Sequence, residues 1–276
     1  MNKSIIWTIA YKDMKAITTN SQIWLGMVLL PLILCVILPL ILILTAKWAP
    51  IDSNDTAKFV ATILKALPQG ETKTKLESLP SINHQIIYVM VNYMLGSMFL
   101  IIPCLNSMMV AANSFVGEKE RRTLESLLFA PITVKELFVG KVLSAFLPAI
   151  TISIVSFILF GIVVNIATAG MFDKIIFPNA NWLLLVFWLS PLVALFTILI
   201  NVLISARVRS FQAAQQLGST VILPIVALVV AQATGLLLIS PLLLFFIGVV
   251  LLAGNVFVLR KVTKYNNRNA LFERQI

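Results

Sequence analysis

The sequence predicts an all-α integral membrane protein: six transmembrane helices, preceded by an N-terminal interfacial amphipathic helix. Three observations predict it. Apolar residues make up 59% of the 276-residue chain and charged residues 12%, against roughly 25% charged in a soluble domain. The apolar residues fall into runs of the length, about 20 residues, that crosses a bilayer as a helix. The basic residues sit in short segments beside those runs, so the formal charge of +10 reads as membrane orientation and not as nucleic-acid binding.

Residues 1–23 form the interfacial element. On a helical wheel Ile6, Trp7, Ala10, Met14 and Ile17 share one side, and Lys12 and Lys15 lie on the other. Such a helix rests in the interfacial plane with its lysines near anionic headgroups. The six-span domain covers residues 24–259. Its first span is 24–46, followed by a long outer loop, 47–85, with mixed charges, Pro68, Gly70 and Pro80. The second span, 86–112, leads into a charged segment, 113–141. The third span is 142–169, a short polar link covers 170–181, and the fourth span is 182–204. A small basic loop, 205–218, follows. The apolar stretch 219–259 is about twice as long as one crossing needs at 1.5 Å per residue. It therefore forms a hairpin, turning between Ala233 and Pro241, where Gly235, Ser240 and Pro241 supply breaks. A short re-entrant element also fits there. Residues 260–276 are a basic tail. Prolines 31, 39, 103, 148, 191 and 224 fall within spans, where they remove backbone donors and favour kinks.

Lys and Arg concentrate in 1–23, 113–141, 205–218 and 260–276, whereas the opposite side holds lysines mostly in the one long loop. The asymmetry places both termini in the cytoplasm of a multi-pass protein of the plasma membrane. Trp24, Trp48 and Trp182 fall at span edges, where amphipathic rings settle.

The spans so drawn contain no Asp, Glu, Lys, Arg or His. Ion-coupled carriers place ionisable groups at membrane depth to bind the coupling ion; this chain offers only Asn92, Asn106, Asn165, Asn201, Gln232 and scattered Ser and Thr. These residues serve interhelical hydrogen bonding, and Asn92, Asn106 and Asn201 are the candidates for substrate binding along a path. His84 stands alone, and Cys35 and Cys104 lie inside apolar runs, so neither a metal site nor a catalytic constellation is expected. No G-x-x-x-x-G-K-[ST] loop is present to cradle ATP phosphates. The energy must come from a partner, and a partner needs a cytoplasmic handle.

The segment between spans two and three offers one. Leu124, Leu127 and Leu128 follow helical spacing, and Glu118/Arg122 and Arg121/Glu125 are pairs four residues apart. Pro131 ends the run, and Thr133 with Glu136 matches a capping box that starts a new helix. The pattern alone fits either a short amphipathic helix or a solvated loop rich in charge pairs.

The string EKERRTLESLLFAPITVKELFVGK closely resembles the signature of type-2 ABC exporter permeases. AYKDMKAITTN near the start and SARVRSFQAAQQLGSTVILP between spans four and five are similar to other parts of that family. The long loop 47–85 resembles its sodium- and antibiotic-exporter-like branch. The resemblance implies a transport subunit with no enzyme activity or cofactor of its own, ATP and Mg being held by separate cytoplasmic ABC ATPase subunits. It implies a second permease subunit, identical or similar. It assigns coupling to the ATPase to Glu118, Glu120, Arg121, Arg122, Leu124, Glu125, Leu127, Leu128, Arg207 and Arg209. Two other classes stay open: an ATP-independent channel or pore, and a membrane-embedded enzyme, for which the chain offers only dispersed Ser and Thr.

Overall fold

The computed structural model describes residues 2–48, 60–64, 71–120, 132–172, 175–208, 210–234 and 240–265, and no β-strand occurs among them. A first helix, α1 (Lys3–Thr19), is followed by six helices long and apolar enough to cross a bilayer: α2 (Ile23–Trp48), α3 (Ile82–Glu120), α4 (Val134–Ala167), α5 (Ala180–Ser205), α6 (Phe211–Gln232) and α7 (Pro241–Val262). The protein is an all-α membrane protein. Because the six helices alternate in direction, α3 ends and α4 begins at the same face as α1; this is the α1 face below, and the opposite one is the far face.

Helix lengths depart from the apolar runs. At 34 residues, α4 is about 51 Å long at 1.5 Å per residue, well beyond the roughly 30 Å of hydrocarbon. Its first turns, and the last turns of α3, continue past the apolar part as charged helix. Apolarity marks only the portion that suits lipid, whereas Glu, Lys and Leu propagate a helix equally well outside it. The start of α4 is where the capping box puts it: Thr133 Oγ1 accepts from the Glu136 N–H at 3.2 Å, and the Glu136 carboxylate accepts from the Thr133 N–H at 3.0 Å.

Residues 211–218, read from composition as loop, are helical and run through a 3₁₀ turn (Ser219–Ile222) into Leu223–Ala233. Ser210 caps this helix by accepting from the Ala213 N–H. The hairpin turns where expected, with α6 ending at Gln232 and α7 starting at Pro241. Residues 235–239, and with them the re-entrant alternative, lie outside the described residues.

Several helix irregularities have a proline cause. Proline lacks an N–H and its ring crowds the carbonyl four residues earlier. Pro39 and Pro191 follow π-turns at Ile33–Ile37 and Leu185–Leu189, which contain those carbonyls. Pro224 follows the 3₁₀ turn of α6, and Pro103 follows the break at Leu100. Pro31 and Pro148 sit inside uninterrupted helix. Two more π-turns in α3, Met90–Met94 and Asn113–Gly117, contain no proline.

The central helix is α3. Of its most apolar window 72% is buried within the protein, against 17% for α6 and 22% for α7. Trp182, expected at an interface, is fully buried: it stacks on Phe160 with ring centroids 4.5 Å apart and donates its indole N–H to the Val91 carbonyl of an α3 π-turn at 3.0 Å. The apolar side of α1 also differs from the wheel. Ile6, Ile9, Ala10, Asp13 and Ile17 are buried, and Trp7 is exposed. The α4 surface selects this side. Gly140 admits α1 so closely that an added Cβ would lie 2.9 Å from Ile9 Cβ and 3.1 Å from the Ile6 carbonyl.

Candidate functional site

Charged groups of three helices meet at the α1 face. The π-turn Asn113–Gly117 of α3 directs both the Ser114 carbonyl and its hydroxyl toward Lys141 of α4. The Lys141 ammonium donates to that carbonyl and to the Glu118 carboxylate, lies 3.3 Å from Ser114 Oγ and 3.6 Å from Asp13 Oδ2, and stands 5.5 Å from the centre of the Phe115 ring. Lys141 is 1% exposed and Asp13 5%. The Ser114 hydroxyl donates to Asp13 Oδ2. On the rim, Lys12 donates to Glu118 at 2.7 Å and pairs with Asp13 at 3.3 Å. Two cations thus face two anions across α1, α3 and α4. Buried charge persists only when so paired and hydrogen-bonded.

The exposed member of the set feels its neighbours. Burial pulls the Lys12 ammonium down, but the hydrogen bond and charge of Glu118, then those of Asp13, outweigh it, and its pKa stands above the usual 10.5. A second tie joins the same helices: the Asn2 N–H, at the start of α1, donates to Glu136 Oε1 at 2.6 Å. Glu136 therefore holds the starts of α1 and α4 together.

The remaining turn of α3 faces α6. Glu120 accepts from the Phe211 N–H at 2.9 Å, and Lys119 reaches the Val208 carbonyl at 3.4 Å. The first N–H groups of a helix have no partner within it, and Glu120 supplies a carboxylate there, where the helix dipole also favours a negative charge. Glu118 and Glu120, two residues apart, thus link α3 to α1 and α4 on one side and to α6 on the other.

Of the residues marked for coupling, Glu118 and Glu120 belong to these contacts. Arg207 is exposed in the turn after α5. Arg121, Arg122, Leu124, Glu125, Leu127, Leu128 and Arg209 lie outside the described residues. Asp13, Ser114 and Lys141 were missed by sequence reasoning. A carboxylate three residues from Ala10 and four before Ile17 on a buried face was the available signal.

The substrate candidates Asn92, Asn106 and Asn201 are all about 1% exposed. Asn92 and Asn201 bond back to the Tyr88 and Thr197 carbonyls of their own helices. Asn92 lies toward the far face. Asn201 is near the α1 face, its Oδ1 2.9 Å from where a Cβ on Gly218 would stand. These two do not converge. A groove of about 650 Å³ along α4 and residues 177–178 is lined almost wholly by apolar groups, and its Asn165 donates to the Phe177 carbonyl.

The family model of the ABC-2 family transporter protein matches residues 7–247. The chain belongs to the ABC-2 transporter family. The match takes in α1 from Trp7 onward, the charge cluster, the spans α2 to α6 and the first turns of α7. No curated protein matches the sequence. The chain is accordingly a permease, the membrane subunit of an ABC transporter, and membership implies partnership with ABC ATPase subunits. In this permease the charge cluster brackets residues 121–131, the stretch joining α3 to α4.

Proposed function

We propose that this permease is half of an exporter. Two permease chains, identical or similar, sit in the plasma membrane with the α1 face toward the cytoplasm, and two ATPase subunits bind that face. ATP closes the ATPase pair, the segment between α3 and α4 takes up the movement, and a path between the permeases changes exposure. The charge cluster carries this reading. By joining α1, α3 and α4, with Glu120 adding α6, it makes one mechanical unit of the helices flanking the cytoplasmic connection. A push there moves several spans together. The long loop 47–85 supports the sodium- and antibiotic-exporter-like branch.

The test is reconstitution in vesicles with the partner ATPase. The permease alone should hydrolyse no ATP, and transport should require hydrolysis. Asp13→Asn, which weakens the cluster without touching residues 121–131, should leave ATPase binding within about twofold and lower the transport-to-hydrolysis ratio. Transport at full rate by the permease without any ATPase would establish a pore instead. An unchanged ratio in Asp13→Asn would remove the cluster from coupling.

A further inference from the structure

Toward the far face, a small cavity lies where α3, α5, α6 and α7 meet. It is lined by Asn92, Tyr93, Ser97, Asn181, Leu185, Gln232 and Leu244. Gln232 and Asn92 are each 1% exposed. Among the described residues neither Oε1 nor Nε2 of Gln232 has a hydrogen-bond partner, nor does Asn92 Oδ1. Leaving such atoms buried and unmet forfeits their hydration with nothing in return. The position sharpens the problem. Gln232 is the buried polar residue of the least buried span, at the end where α6 approaches the Met90–Met94 π-turn of α3.

The chemistry of the unmet atoms selects the ligand. Two are acceptors and one is a donor, and exchanging O and N of the Gln232 amide keeps one of each on that side chain. A bare cation would satisfy the acceptors and leave the donor unmet; an anion would do the reverse. A small neutral molecule that donates and accepts at once satisfies both. The cavity has room for about 10 Å³, close to the roughly 10–15 Å³ that one water needs.

We propose that this cavity is a binding site for a single water, which bridges Gln232 of α6 to Asn92 of α3 and fastens the far end of α6 to the bundle. A bridging water is nearly as good as a direct hydrogen bond at small entropic cost. It explains how a span with so little buried apolar surface holds a fully buried amide.

The sign of one mutational effect tests the proposal. If the site is dry, Gln232 carries two unmet groups, and Gln232→Leu removes them and raises the unfolding temperature. If a water bridges, Gln232→Leu takes away its partners, strands Asn92 Oδ1 and lowers it. Thermal unfolding in lipid nanodiscs should show a fall, and in the Asn92→Leu, Gln232→Leu double variant a fall smaller than the sum of the two single ones. An unchanged or raised unfolding temperature in Gln232→Leu overturns the site. Should that variant fail to fold, radiolytic footprinting of the wild-type permease decides. Leu185 and Leu244, lining the cavity, should be oxidised several-fold faster than the equally buried Leu189 and Leu199, which do not line it. Equal protection of all four overturns the proposal.

Discussion

Lys141 has its ammonium almost wholly out of water, and Asp13, Glu118 and Ser114 replace the lost hydration. Removing one member of such a group leaves the others charged and unmet, at a cost of about 3–5 kcal/mol. Lys141→Met should therefore lower the unfolding temperature sharply. Adding Glu118→Gln to it should cost much less than the two changes taken singly, because the second removes a charge that the first stranded. Strict additivity in that cycle would show that the two side chains do not interact. Lys12 behaves differently, since it is half exposed and its pairs contribute only about 0–1 kcal/mol. Its folded pKa is raised above the usual 10.5. The contribution is therefore fully present below that value and lost as the pH climbs through the folded pKa. The small stability difference between wild type and Lys12→Met should be constant around neutral pH and disappear only at pH values above 10.5. A difference that disappears near neutrality would mean Lys12 is not held by the two carboxylates.

Among elements, α1 has the least independent reason to be where it is. Most of the stability of a helix in a protein comes from packing of one face, and the placement of the 17-residue α1 rests on Gly140, the Asn2–Glu136 bond and the Asp13 pairing. Gly140→Val should displace α1 from α4, since the nearest atoms include the Ile6 backbone carbonyl, which cannot rotate away. Limited proteolysis should then cut within Lys3–Thr19 several-fold faster than in wild type, while the spans stay intact. Unaltered protection of α1 would mean the helix shifts as a body without loosening. The helix ends at the α1 face depend on one another too. The α3 terminus is shaped by its π-turn, and the carboxylates of Glu118 and Glu120 on that terminus hold α1, α4 and the start of α6.

For the whole molecule the consequence is that α1, α3, α4 and the start of α6 form one tied unit at the α1 face, while the far face packs around Trp182. Movement applied at the α1 face is thus shared among spans before it reaches the far side. This requires that face to be cytoplasmic, which labelling can establish. In a background without Cys35 and Cys104, cysteine at exposed Ser78 should react with an impermeant thiol reagent added outside intact cells, and cysteine at exposed Gln212 should react only after lysis. The reverse pattern would put the ATPase-binding face outside and reject the exporter reading.

The number of spans, their order, the hairpin after α6 and the Thr133–Glu136 start of α4 could all be read from the sequence. Each depends on the local run of residues: apolar length against bilayer thickness, proline and glycine breaks, a cap four residues wide. The family could be read from the residues around Glu118, which form one contiguous motif. Tertiary structure alone decided which charges are buried. Asp13, Glu118 and Lys141 stand far apart in the chain, and in sequence each looks like an ordinary solvated residue beside a span. The close approach at Gly140 and the π-turn at Ser114 bring them together. The same holds for Trp182, whose fully buried ring is set by Phe160 and the Val91 carbonyl, and for Gln232, whose burial depends on where α6 meets α3. The periodicity of one helix shows that a face is apolar; what covers that face, and whether a charge on it finds a partner, is a property of the neighbouring helices.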